Sequence, residues 1–383
     1  MLLALHAIHA PTGAQPSHAR AEQHVLTPGA DESSTRRSGT GTRTALGSAK
    51  LASCKYVPSR VEEEWFSSAA AGRICATAYR PHQVQAAKEW LSYVASDRRG
   101  APPASLSKWV CADGATEYIE PLSGIARHPF AGVCPSHLLP RDLTTTTIYD
   151  ITYLMLANNC SSARGSVRAA AEHLAARATV PRRLLFDLGC SVYGDDSDAR
   201  GHRHSDVLHQ QFGSGYGPSM PLFDSLLAAQ CLPLDHMFGW EAEPMNATEW
   251  WAHVPTTVRP RLSFFNVPVS APGTIGWTSA SAGGTGDFIS RLEREASADD
   301  YVAVKLDIDN VPAEQAIMRH IGRPQIARLV DELFFEYHFN FDNLNFGWQS
   351  QIGGVHHVND TVDDALRLMQ SMRRKGVRAH FWI

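Results

Sequence analysis

The sequence predicts an α/β protein with a doubly wound, mostly parallel β-sheet. In the second half of the chain, apolar runs of strand length alternate with helical patterns, as in α/β folds. Most of these runs are continuous rather than alternating, which is typical of strands buried on both faces of a parallel sheet. The predicted strands are 184–188, 236–240, 262–269, 301–308, 333–339 and 377–383.

Helical patterns lie between these strands, at 218–230, 286–296, 313–321 and 361–375. The last has the clearest bounds, because Thr361 can act as N-cap, Asp364 follows three residues later and Gly376 can end the helix. Strands and helices in this order predict a Rossmann-like domain over residues 181–383.

The N-terminal part has a different composition. Residues 1–55 contain no Phe, Trp or Tyr and are rich in Ser, Thr, Gly, Ala and Pro, so we expect a disordered tail. Residues 82–97 place apolar side chains at helical spacing, and helices are plausible at 147–157 and 166–178. Residues 56–180 are therefore predicted to form a small, mainly helical region.

The net charge and the apolar runs of the chain argue against some classes of partner. The chain of 383 residues has a formal charge of −4 and no basic run, so we expect no nucleic-acid partner. No apolar run is long enough for a transmembrane segment. The seven cysteines show no zinc spacing, and a bridge such as Cys111–Cys134 is possible in a secreted protein. Three glycosylation sequons weakly favour a protein of the secretory pathway, and the cytoplasm is the alternative location.

The first candidate site follows the strand 184–188. Gly189 would let the backbone approach a ligand closely, and Asp187 would accept a hydrogen bond from its amino group or from a bound water. Ser191 lies in the same loop. The segment is neither a dinucleotide fingerprint nor a P-loop, which favours a nucleoside without phosphates. We therefore predict S-adenosylmethionine as cofactor.

Two further segments are predicted to bind this cofactor. Gly215 and Gly217 precede a helix whose amides would point into the cleft, although a flexible connector explains these glycines equally well. Glu241 ends the next strand, where a carboxylate can hold both ribose hydroxyls, with Glu243 in reserve.

The strand 301–308 carries Lys305, Asp307 and Asp309 at its end. Asp307 is assigned to the cofactor, and Lys305 and Asp309 to catalysis, because unpaired charges are costly in a core but suit a cleft. If both aspartates point the same way in the strand, they also suit a divalent metal. A structural lysine–aspartate pair is the alternative.

Histidines supply the remaining candidates. Glu336 and His338 share one face of a predicted strand, and His338 could take a proton from a substrate hydroxyl, although a lone strand histidine is more often structural. His202, His204, Asp206 and His209 lie in a polar insert, where a solvated loop is favoured over a metal site.

These segments together resemble the FkbM family of S-adenosylmethionine-dependent methyltransferases. Residues 186–189 (FDLG) look like its first motif, and residues 240–242 (WEA) stand where it has an aromatic residue, glutamate and proline. Residues 305–310 (KLDIDN) look like its Lys-hydrophobe-Asp-hydrophobe-Glu-Gly motif. Residues 335–338 (FEYH) look like its Glu-x-His strand. Asp309 and Asn310 depart from that pattern. The resemblance implies a methyltransferase-type Rossmann-like fold from about residue 184 onwards.

The function predicted from these residues is O-methylation of a small-molecule or glycan acceptor. His338 is nominated as the base, with Asp307 or Asp309 as alternatives, and no metal is assigned. One rival is a metal-dependent glycosyltransferase that uses Asp307 and Asp309. The other is a catalytically inactive Rossmann-like interaction protein with exposed aromatic anchors at Trp250-Trp251 and Phe346-Gly347-Trp348. The oligomeric state is not indicated.

Overall fold

The computed structural model describes residues 48–70, 101–122, 181–194, 218–229, 233–274, 276–278, 281–338 and 360–382, with isolated positions in 82–93. Several predictions lie outside these residues: the helices at 147–157 and 166–178, Gly215 and Gly217, the histidines of the polar insert, and residues 346–348.

The described N-terminal part contains a small antiparallel sheet. Its elements are α1 (Ser48–Leu51), β1 (Lys55–Val57), α2 (Arg60–Ala70), β2 (Ser107–Val110) and β3 (Thr116–Ile119), and its strands pair in the order β1-β2-β3. The predicted disorder is therefore wrong for 48–55, and the prediction of a mainly helical region omitted this sheet.

A disulfide joins the start of β1 to the end of β2. It links Cys54 to Cys111, so the suggested Cys111–Cys134 bridge is wrong. The two cysteines lie 57 residues apart, and the antiparallel pairing that sets Lys55 against Val110 brings them together.

The second half forms a six-stranded, all-parallel sheet with the order β6-β5-β4-β7-β8-β9. The order reverses between β4 and β7, which are the two central strands. The elements in chain order are β4 (Arg183–Leu188), α3 (Ser219–Ala229), β5 (His236–Trp240), α4 (Ala247–Ala252), β6 (Leu262–Phe265), α5 (Phe288–Glu295), β7 (Tyr301–Leu306), α6 (Val311–Ile321), α7 (Pro324–Ala327), β8 (Glu332–Phe335), α8 (Val362–Arg374) and β9 (Arg378–Phe381).

Helices cover both faces of this sheet, which confirms the predicted parallel α/β architecture. Leu184, Phe186 and Leu188 of β4 belong to one core with side chains of α5, α6 and α8. Leu185 belongs to a second core with side chains of α3 and Trp250 of α4. Because successive strand residues point to opposite faces, the apolar side chains of one strand supply both cores.

The small sheet is joined to the large one through α8. Arg373 has no exposed surface, and its guanidinium contacts Glu62 of α2 at 3.3 Å and Glu120 at 2.6 Å. The Nε1 of Trp109 in β2 donates to the carbonyl of Arg373 at 2.7 Å. Glu62, Trp109 and Glu120 thus contribute directly to the surroundings of α8.

The last predicted helix has the caps that its sequence indicates. Thr361 and Asp364 form a reciprocal capping box, and Gly376 adopts a φ of 91° after α8. None of the helices in the described part of the chain combines the length and hydrophobicity that crossing a bilayer needs.

Candidate functional site

A cleft of about 510 Å³ opens at the carboxyl ends of β4, β5 and β7. This is where the strand order reverses, the usual ligand position in open α/β sheets. A volume of this size falls within the range of roughly 300–1,000 Å³ that small-molecule sites occupy. The lining residues are Gly189, Ser191, Trp240, Glu241, Ala242, Glu243, Met245, Pro268, Val269, Asp307, Ile308, Asp309, Asn310 and Ala313.

Glu241 is held in the cleft by two backbone amides. Its Oε2 accepts from the amide of Ser191 at 3.0 Å, and its Oε1 accepts from the amide of Glu243 at 2.9 Å. Each carboxylate oxygen keeps further acceptor capacity. The structure therefore brings Glu241, the predicted ribose-binding residue, beside Ser191, which is also predicted to bind the cofactor. The two amides fix the orientation of the Glu241 carboxylate in the absence of a ligand.

Asp187 lies beneath the cleft rather than in its wall. Its side chain has no exposed surface, and the Ser219 hydroxyl donates to its Oδ2 at 2.5 Å. Burial raises the pKa of Asp187, while the Lys305 ammonium, 3.4 Å from Oδ1, opposes that rise. This burial argues against direct contact between Asp187 and a cofactor, and its hydrogen bond with Ser219 links α3 to β4.

Lys305 is also enclosed by protein groups. Its Nζ donates to the carbonyl of Gly189 at 2.9 Å and lies 2.9 Å from Oδ2 of Asp307. Burial by itself lowers the pKa of Lys305, but Asp307 and Asp187 outweigh it and hold the pKa above its ordinary value. With 2% of the residue exposed, Lys305 does not line the cleft. This geometry favours the alternative prediction, a structural ion pair, over a catalytic role.

Gly189 is required by its protein neighbours. Its φ is 90°, and a Cβ at this position would lie 1.6 Å from the carbonyl oxygen of Asp307. The glycine lines the cleft, as predicted, but the backbone it approaches most closely is the segment after β7.

Asp307 connects the ion pair to the cleft surface. Its Oδ2 accepts from Nε1 of Trp382 at 3.1 Å, and Glu336 also hydrogen-bonds to it. Burial alone would raise the pKa of Asp307, but Lys305 and then Glu336 hold it below its ordinary value. Since 24% of the side chain is exposed, the carboxylate is partly available to a ligand.

Asp309 does not share the direction of Asp307, since β7 ends at Leu306 and Asp309 has a φ of 51°. Its side chain is 74% exposed, and its Oδ1 lies 3.5 Å from Nε2 of His338. The Oε2 of Glu336 lies 3.7 Å from the same nitrogen. Asp309, Glu336 and His338 thus form one cluster of possible metal ligands, which does not include Asp307.

His338 is fixed from its other side by Glu314, a residue of α6 that the sequence analysis missed. The Nδ1 of His338 lies 3.0 Å from Oε2 of Glu314, whose Oε1 accepts from the amide of Ile308 at 3.1 Å. Burial lowers the pKa of His338, but Asp309 and Glu314 outweigh it and raise it to about 9. An imidazolium at neutral pH cannot accept a proton, so the geometry does not favour His338 as the base.

The predicted aromatic anchor Trp250 is a core residue. It is 3% exposed, stacks on Phe264 at 3.7 Å and donates from Nε1 to the carbonyl of Ser191 at 3.0 Å. Trp250 therefore supports the loop that carries Ser191, and the prediction of an exposed anchor is wrong for this residue.

Comparisons with protein-family models, with curated proteins and with solved structures found no match for this chain. The resemblance to the FkbM family therefore rests on the motifs alone. The structure establishes an α/β fold with a six-stranded parallel sheet, which is compatible with a Rossmann-like fold.

Proposed function

We propose that this protein is an S-adenosylmethionine-dependent methyltransferase that acts on a hydroxyl group. The observation that carries the proposal is the charge of the cleft. Its described lining includes four carboxylates, on Glu241, Glu243, Asp307 and Asp309, and no Lys, Arg or His.

An acidic lining selects among the ligands that bind at the carboxyl edge of such a sheet. NAD, ATP and nucleotide sugars carry phosphates, which carboxylates repel and which backbone amides or basic side chains normally bind. S-adenosylmethionine has no phosphate, and its positive sulfonium and ammonium outweigh its single carboxylate, so its net charge is positive. Carboxylates around it favour its binding over that of a nucleotide.

The residues present fit an adenosyl group. In this proposal Glu241 would accept from both ribose hydroxyls, as an acidic residue at the end of a second strand does in Rossmann-like folds. Trp240, Pro268 and Val269 give the same cleft an apolar wall that can cover a purine. The bound cofactor would supply an electrophilic methyl group.

The protein's own task would be to align the acceptor oxygen with that methyl carbon. Asp309 is the best placed of the predicted catalytic residues, because it is exposed and lines the cleft. It therefore marks the acceptor side, whereas Glu241 marks the ribose side.

The test is calorimetric titration of the full chain with S-adenosylhomocysteine. A hydrogen bond to a charged group contributes about 1.5–3 kcal/mol, so Glu241→Gln is expected to weaken binding roughly 10- to 150-fold. Glu293→Gln is the matched control, because this exposed glutamate of α5 loses the same charge and does not line the cleft. Absence of binding to the wild type, or equal losses in both variants, would refute the proposal.

The glycosyltransferase alternative is less well supported. It needs Asp307 and Asp309 to share a metal, whereas Asp307 is paired with Lys305. Saturable binding of a nucleoside diphosphate, but not of S-adenosylhomocysteine, would favour it. Binding of S-adenosylhomocysteine without methyl transfer to any acceptor would favour the inactive interaction protein.

We also propose that the chain passes through the secretory pathway. The Cys54–Cys111 disulfide supports this, because disulfides persist in oxidising compartments and are rare in the cytosol. Mass spectrometry of the protein from its native source, with thiols blocked before lysis, tests it. A free thiol on Cys54 would contradict it.

A further inference from the structure

We infer that Asp309, Glu336 and His338 bind a divalent transition-metal cation, of the Mn²⁺ or Zn²⁺ class, at the acceptor side of the cleft. Each residue offers one ligand atom, and these atoms all lie within 4.8 Å of one another. The carboxylates follow the ends of two neighbouring strands, β7 and β8, so the sheet itself brings the three side chains together.

The spacing of the ligand atoms fits a metal ion. Metal–nitrogen and metal–oxygen bonds of roughly 2.0–2.2 Å in a tetrahedral site separate the ligand atoms by about 3.4 Å. The Nε2 of His338 lies 3.5 Å from Asp309 Oδ1 and 3.7 Å from Glu336 Oε2. Small side-chain movements, with the cation replacing the proton on Nε2 of His338, would therefore complete the coordination.

Glu314 provides an independent indication. It binds the Nδ1 of His338 and is itself held by the amide of Ile308. A buried carboxylate on the second ring nitrogen is the usual support of a metal-binding histidine, because it fixes the ring and raises the basicity of the ligating nitrogen. Here that carboxylate is 1% exposed, so it is committed to His338.

Charge and access agree with this assignment. Asp307, Asp309, Glu314 and Glu336 bring four carboxyl groups together, and the described cationic partners are Lys305 and His338. Asp309 lines the open cleft, so a cation has a path of entry. Three protein ligands leave coordination positions for an exogenous oxygen, as in catalytic rather than structural metal sites.

One nitrogen and two carboxylate ligands indicate the type of cation. Mg²⁺ and Ca²⁺ prefer sites made of oxygen, whereas imidazole suits Zn²⁺ and other transition metals, and Mn²⁺ suits the two carboxylates. The side chains at this site thus favour Mn²⁺ or Zn²⁺.

The role of the cation, though not its binding, rests on the proposed methyl transfer. An acceptor hydroxyl bound to such a cation would lose its proton to water more readily. The oxygen would then form its bond to the methyl carbon while the carbon–sulfur bond broke and left its electron pair on sulfur. Acceptors with two adjacent oxygens, such as a catechol or a sugar diol, suit such a site because both oxygens can coordinate.

The experiment titrates the metal-stripped full chain with Mn²⁺ alone and follows free Mn²⁺ by electron paramagnetic resonance. We expect saturable binding of Mn²⁺ by the wild type, at least about tenfold weaker in Asp309→Asn. Asp299→Asn is the matched control, because this exposed aspartate precedes β7 and lies at the amino end of the strands, opposite the cleft. The exposed position of Asp309 makes its variant suitable even if Glu336→Gln or His338→Gln fails to fold.

No saturable binding, or equal binding by Asp309→Asn and Asp299→Asn, would overturn the inference. Binding of S-adenosylhomocysteine is measured separately, by titration in the absence of metal. Loss of Mn²⁺ binding with intact cofactor binding would reject only the metal site, whereas the reverse result would reject only the proposed methyl transfer.

Discussion

Replacement of Lys305 by methionine tests whether this residue is structural or catalytic. The substitution keeps an unbranched side chain of similar length and removes the ammonium that contacts Asp187, Asp307 and the carbonyl of Gly189. At 2.9 Å and an effective dielectric of about 20, the attraction to Asp307 is roughly 6 kcal/mol before desolvation is counted.

The net effect on stability is smaller, since burying the ammonium is itself costly. Breaking a buried ion pair by removing one partner typically costs about 3–5 kcal/mol, because the remaining charge is left uncompensated. This is a large fraction of the roughly 5–15 kcal/mol that stabilises a typical domain. We therefore expect Lys305→Met to lower the free energy of unfolding by about 3–5 kcal/mol.

The assay is equilibrium unfolding in urea followed by circular dichroism. Lys50→Met is the matched control, because Lys50 makes an ion pair of similar length with Asp113 on the surface, where water screens it. Adding Asp187→Asn to Lys305→Met should recover part of the loss, since it removes one uncompensated carboxylate. A stable Lys305→Met variant that binds S-adenosylhomocysteine normally but no longer transfers a methyl group would refute the structural interpretation.

Two further predictions concern the backbone and the disulfide. Gly189→Ala should disrupt folding in thermal unfolding assays, because its Cβ would overlap the carbonyl of Asp307. Gly114 is the control, since it has a similar φ of 81° and a Cβ there would have nothing within 4 Å. Gly114→Ala should lower the free energy of unfolding by only about 1–2 kcal/mol, from backbone strain. Equal losses would show that the contact with Asp307 is unimportant. Cys54→Ser should lower the free energy of unfolding by about 2–4 kcal/mol, as the disulfide closes a long loop. The loss should disappear when wild type and variant are compared under reducing conditions, and persistence there would contradict a disulfide effect.

The sequence was sufficient to predict the main sheet because the relevant pattern is local. Mostly apolar runs such as Leu184–Leu188, in which Asp187 is the one charged residue, favour burial on both faces, and that requires helices on either side. The position of Glu241 followed from the same logic, since the end of a parallel strand lies at the ligand-binding edge.

The charged residues of the site could not be assigned in this way. Asp187 and Lys305 occupy strand ends as Glu241 does, but Ser219, 32 residues after Asp187, and Asp307 enclose them. A carboxylate or ammonium is structural or available according to what lies against it, and those neighbours come from other strands and helices. The partner of Cys111 and the role of Glu314 depended on the tertiary structure for the same reason.

The sequence by itself determined the layered α/β architecture and the acidic character of the carboxyl ends of the strands, because hydrophobic periodicity is a local property of the sequence. Only the tertiary structure decided which of those acids face the cleft, which neutralise Lys305 and which surround His338. Electrostatic pairing acts over a few ångströms in space, between residues that are far apart in the sequence.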